Sequence, residues 1–196
     1  LSLEMEKLFQ AMISRLMFLS LPRSVKRFLA ANITVPSIDR REHLIKLVWD
    51  PDDIRADGSL NPEIFRSSEL KDLSKGVSVD RHLLFSTKVF NILASRQQKK
   101  AGAGGIVRTA PLSTGLRCAA VLSSQLDGQI AFVVRATPVR NLTDFPDNIA
   151  HAEVFNNSGK INRSAIIALR MKLVDLCDKP IPIETRVKSK GFTEFK

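Results

Sequence analysis

Apolar residues near the start of the chain recur at spacings of three and four: Met5, Leu8, Phe9, Met12, Leu16 and Leu19. That period predicts a helix over 2–20, and Ile13, Met17 and Phe18 widen its apolar surface beyond one stripe. Pro22 ends it, Ser24 can cap a short helix from Val25 to Ala31, and Pro36 closes the segment. Residues 1–36 therefore read as an N-terminal helical hairpin. The pattern then shifts towards period two. His43–Trp49 and Gly76–Asp80 read as strands, the latter with Val77 and Val79 on one face and Ser78 and Asp80 on the other. The intervening Asp50-Pro51 and Asp57-Gly58 belong to a loop rich in turn formers.

Helical period returns over Leu83–Lys100, with Val89, Phe90, Leu93 and Ala94 inward, until Gly102, Gly104 and Gly105 stop it. Three strands are expected next, at Ile106–Leu112, Leu116–Ser123 and Gln129–Thr137, with Asp127-Gly128 turning the last pair into a hairpin. His151–Phe155 is a short strand, and Asn162 caps a final helix to about Cys177. Pro180 and Pro182 end it, and a basic tail follows. The fold class is α+β: a mostly antiparallel sheet with helices packed on one side, preceded by the helical hairpin. We read two parts, a helical segment over 1–36 and a basic α+β domain over 37–196.

Charge changes the picture. The 196 residues carry a formal charge of +10, unevenly spread. From Arg81 to Leu126 there are 46 residues without an Asp or Glu, and seven Lys or Arg. A single-sign field of this extent attracts anionic partners. Arg96, Lys99, Lys100, Arg108 and Arg117 flank the Ala-Gly-Ala-Gly-Gly segment, and Lys88, Arg186, Lys188 and Lys190 extend the set. These nine residues are the candidate contacts to nucleic-acid backbone. The glycines leave a helix and enter a strand, the reverse of a P-loop, so no nucleotide-binding motif of that kind is present. Cations at a helix C-terminus with a glycine cap also have a purely structural use.

Other chemistry is sparse. His43, His82 and His151 show no metal-ligand spacing, and Arg55 and Ile64 occupy ligand positions of the one calcium-like loop, so no metal or cofactor is expected. Cys118 and Cys177 lie far apart among apolar neighbours, which fits a reducing, cytoplasmic compartment. The run from Leu8 to Leu21 is broken by Gln10, Ser14 and Arg15 and is too short to span a bilayer. One polar constellation stands out. If their strands adjoin, Ser78, Arg81, His151 and Glu153 line a cleft that can perform general acid–base work. Satisfied, partly exposed strand residues are the alternative.

Phe65-Arg66 after an acidic turn, Gly76-Val-Ser-Val-Asp-Arg81 and Ala150-His-Ala-Glu-Val154 together resemble a group of small, mostly uncharacterised prokaryotic and phage proteins with a GLSV(D/N)R … NPAHAEI pattern. The likeness covers about residues 44–155 and implies a bacterial or phage cytoplasmic setting without an activity. A looser analogy is to ADP-ribosyltransferase-like folds, in which His43 or Lys46, Ser78 and Glu153 would fill the key roles. Val79-Asp80 follows Ser78 where that pattern has a second serine.

These readings point to a non-enzymatic accessory protein of a cytoplasmic complex. Its basic face would meet nucleic acid, DNA or RNA, with low sequence preference, and Met5, Leu8, Phe9, Met12 and Leu16 would meet a protein partner. The alternatives are an immunity or antitoxin-type protein binding an acidic partner, and a nucleotide- or NAD-using enzyme built on the four polar residues.

Overall fold

The strands form where alternation meets a surface to bury. The computed structural model describes residues 35, 37–102, 111–140 and 147–188; the expected N-terminal hairpin and its partner-binding residues lie outside them. Six strands form one sheet in the order β6-β7-β2-β1-β3-β8, every pairing antiparallel. They are β1 (His43–Val48), β2 (Val77–Arg81), β3 (Leu112–Arg117), β6 (Phe132–Ala136), β7 (His151–Asn156) and β8 (Ile181–Pro182). β4 (Gln125–Leu126) and β5 (Gln129–Ile130) make a separate hairpin. It turns on Asp127 and Gly128, both with positive φ, the conformation a two-residue hairpin requires.

One sheet face is largely apolar. Leu44, Val48, Val77, Val79, Leu116, Phe132, Ala152 and Val154 pack there against Leu70 of α1 (Ser67–Lys71) and against Ile166, Leu169 and Leu173 of α4 (Arg163–Asp175). Asn162 caps α4 as expected, its side chain accepting from the Ala165 amide at 2.9 Å. The other face carries α2 (Thr87–Gly102) and α5 (Ile183–Lys188), where Phe90 and Ile183 cover Ile45 and Leu47. The expected α+β sheet with helices is therefore what forms, with a second pair of helices added over part of its outer side.

Local differences have local causes. The strand expected over Leu116–Ser123 is divided: Leu116 and Arg117 end β3, and Cys118–Ser123 is helix α3. Its two alanines favour helix, and Cys118 and Val121, three apart, bury one side of it. The helix expected from Leu83 starts at Thr87, behind a 3-10 turn at His82–Leu84, because Ser86 Oγ accepts from the Val89 amide at 3.4 Å. Part of the expected basic tail, Arg186 and Lys188, belongs to α5. The expected strand Ile106–Leu112 falls largely outside the described residues.

Candidate nucleic-acid interface and the open face of the sheet

Register decides which side chains meet. Across β2 and β7, Ser78 faces Glu153 and Asp80 faces His151; across β7 and β6, Glu153 faces Arg135. Opposed residues of an antiparallel pair project to the same side, so Ser78, Asp80, His151, Glu153 and Arg135 share one patch. It occupies the part of the outer face beside α2. Asp80 faces Ile45 of β1 on its other side, and Ile45 lies under Phe90.

Within the patch, the groups are held differently. Nδ1 of His151 lies 2.7 Å from the Thr137 carbonyl oxygen and 3.0 Å from Thr137 Oγ1. A carbonyl only accepts, so Nδ1 carries a proton whatever the charge of the ring, and Nε2 has no hydrogen-bond partner among the described residues. Asp80 Oδ1 accepts from Asn148 Nδ2 at 2.7 Å. Burial pushes the Asp80 carboxyl up from its ordinary value, against the Asn148 hydrogen bond and the charges of His151 and Lys46. Arg135 is exposed and rests on the Phe155 ring, its guanidinium carbon 4.8 Å from the centroid. Neither Glu153, half-buried, nor Arg135 forms an ion pair or hydrogen bond with a described residue.

Arg81 does not join them. It alternates to the inner face, 1% exposed, where its guanidinium grips Glu42 at 2.8 and 2.5 Å and donates to the Ser37 carbonyl at 3.1 Å. The four-residue cleft drawn from sequence therefore loses its arginine, because period two sends residue 81 opposite to 78 and 80. Arg186 is corrected in the same way. It is buried, donating to Ser113 Oγ and the Ser113 carbonyl at 3.0 Å, to the Lys179 carbonyl at 3.0 Å and to Asp178 at 3.2 Å. It clamps α5 to β3 and offers no donor to a phosphate.

The remaining cations divide by element. Lys88 is exposed on α2, whose sequence also holds Arg96, Lys99 and Lys100 and no acidic residue. At about 100° per residue, Lys88 falls on the side of α2 away from Phe90 and Ala94. Arg117 is exposed at the end of β3. Lys188 ends α5, while Arg108 and Lys190 lie outside the described residues. Arg135 is absent from the sequence-derived set, although alternation along Gln129–Thr137 with the sheet order would have set it beside Glu153.

Beneath Arg117, His43 and His82 meet edge to face, with ring centroids 5.4 Å apart. The His43 amide donates to His82 Nδ1 at 2.8 Å. Burial lowers both imidazoles below their ordinary value. Burial also pushes the Cys118 thiol up to about 11 and that of Cys177 to about 12, so neither is a poised nucleophile. Among the described residues no group of three or more His, Cys, Asp or Glu is arranged to hold a metal ion, and no helix is long and apolar enough to cross a membrane. Comparison with known proteins finds no matching family model, no matching curated protein and no matching solved structure.

Proposed function

We propose that the protein binds nucleic-acid backbone, with low sequence preference, through a cationic face centred on α2. The observation that carries this reading is a 16-residue helix with four bases and no acid, laid on the outside of the sheet with Phe90 turned in. Such a helix presents charge without internal neutralisation, and phosphate contacts of this kind position a protein without reading bases. Arg117, exposed at the end of β3, is a further candidate contact, and Arg186 is withdrawn from the set. Met5, Leu8, Phe9, Met12 and Leu16 remain the proposed contacts to a protein partner, in a cytoplasmic complex. The two free cysteines support a reducing compartment. The likeness to the prokaryotic and phage group is part of the proposal and supplies no activity.

Fluorescein-labelled single-stranded oligonucleotides, titrated at about 50 and 200 mM salt, test the reading. Four phosphate contacts give a log–log slope of about −3, so affinity falls about 50-fold over that interval. Replacing Lys88, Arg96, Lys99 and Lys100 together by Gln flattens the slope towards zero. A wild-type affinity indifferent to salt, or no binding at the lower salt, sinks the proposal and redirects the search to an acidic protein partner.

A further inference from the structure

We infer that the open patch beside α2 is an acid–base site that cleaves the backbone of single-stranded RNA, with Glu153 as base, His151 as acid and Arg135 as the phosphate contact. The inference rests on the nucleic-acid reading above and departs from the expectation of a purely non-enzymatic role.

The geometry supplies each part. Glu153 and His151 are alternate residues of β7 on one face, so their backbones stand about 7 Å apart. That spacing brackets one phosphodiester, with the attacking oxygen at one side chain and the leaving oxygen at the other. The Thr137 carbonyl fixes Nδ1 of His151, and Nε2 has no hydrogen-bond partner among the described residues. Glu153 keeps both carboxylate oxygens clear of described protein partners, and so do the guanidinium nitrogens of Arg135 facing it. The Arg135 guanidinium lies over the Phe155 ring, and its N–H donors have no hydrogen-bond partner among the described residues. Glu153 and Arg135 face each other across the β6–β7 pairing without an ion pair.

The step balances without a metal or a redox partner. The Glu153 carboxylate takes the proton of a ribose 2′-hydroxyl, whose oxygen attacks the adjacent phosphorus. The new O2′–P bond forms as the P–O5′ bond breaks, and the His151 imidazolium, protonated at both ring nitrogens, gives its Nε2 proton to the departing 5′ oxygen. Arg135 neutralises charge gathering on the non-bridging oxygens. The products are a 2′,3′-cyclic phosphate and a 5′-hydroxyl, and solvent returns Glu153 and His151 to their starting protonation. Asp80, opposite His151 and hydrogen-bonded to Asn148, is a positioning residue. DNA lacks the 2′-hydroxyl and would bind without being cut.

The test uses the full chain, a chelator and two end-labelled probes: a single-stranded RNA 20-mer and its 2′-O-methyl analogue. The wild type cleaves the RNA to fragments ending in 2′,3′-cyclic phosphate and leaves the analogue whole. Glu153→Gln and His151→Gln each slow cleavage about 100-fold or more, while affinity for the analogue stays within about threefold. Arg135→Lys retains more activity than Arg135→Ala, and thermal melts confirm that each variant folds. Binding of the analogue without cleavage of the RNA overturns the inference and leaves the binding reading standing. Loss of both overturns both. Cleavage that requires a divalent metal, or that survives Glu153→Gln and His151→Gln unchanged, also overturns it.

Discussion

The outer face of the sheet has two halves that fold by opposite rules. Over β1, β3 and β8, Ile45 and Leu47 lie under Phe90, Phe85 and Ile183, and the arginine there, Arg186, spends its guanidinium on Ser113, Asp178 and Lys179. Over β2, β7 and β6 the outer positions carry mostly polar side chains. Ser78, Glu153 and Arg135 stand in a cross-strand row, and the arginine there makes no hydrogen bond to a described residue. Two arginines in one basic chain thus serve different ends. Burying a guanidinium is tolerable only when its donors are matched, so Arg186 belongs to the fold. Arg135, left to solvent, is available to a ligand.

The largest expected effect lies beneath this contrast, on the inner face. Arg81 and Glu42 are each 1% exposed and share two hydrogen bonds. Removing either partner strands a buried charge, at a cost of about 3–5 kcal/mol. Arg81→Ala is therefore expected to unfold at markedly lower denaturant concentration, with nucleic-acid affinity per folded molecule unchanged. A loss of affinity without a loss of stability would return Arg81 to the functional surface.

How legible is this division in the sequence? The strands at His43–Val48, Val77–Arg81 and His151–Asn156 follow from alternation, and the Asn162 cap from its position before an apolar run. Alternation also places Ser78 with Asp80 and His151 with Glu153. What it withholds is strand order. β7 lies beside β2, about 70 residues earlier in the chain, and only that pairing sets Ser78 against Glu153. Charge alone misplaces Arg81 and Arg186, because it looks the same whether a guanidinium meets water or a carboxylate. Their partners, Glu42 and Asp178, are fixed by tertiary contact. The helix at Cys118–Ser123 stays hidden because a short apolar run fits either period.

A smaller effect sharpens the covered half. His43 and His82 are held below their ordinary value chiefly by burial, and His82 accepts the His43 amide at Nδ1. A depressed imidazole means that the unfolded chain binds protons more readily than the folded one below the ordinary value of 6.5. Stability is then fully present above that value and declines as pH falls from 6.5 towards the folded-state value. Thermal melts about one pH unit above and below the ordinary imidazole value should show the drop, and His43→Gln should shrink it. An equal drop in the variant would place the titration elsewhere.

The smallest stability effect is expected in the open half, and it is the one that separates the halves most sharply. Arg135 contributes a cation–π contact to Phe155 and nothing else that a described residue records. An exposed contact of that kind is worth about 0.5–1 kcal/mol, and loss of the side chain leaves no buried group unsatisfied. Arg135→Ala should therefore move the unfolding free energy by about 1 kcal/mol at most. Arg186→Ala, which strands the Ser113 carbonyl under α5, should cost more. Chemical denaturation of the two variants side by side decides the matter. If they are equally destabilised, the open half serves folding no less than the covered half does, and Arg135 would lose its standing as a residue kept for a ligand. If Arg135→Ala is near neutral in stability yet weakens nucleic-acid binding, the exposed guanidinium is there for the phosphate.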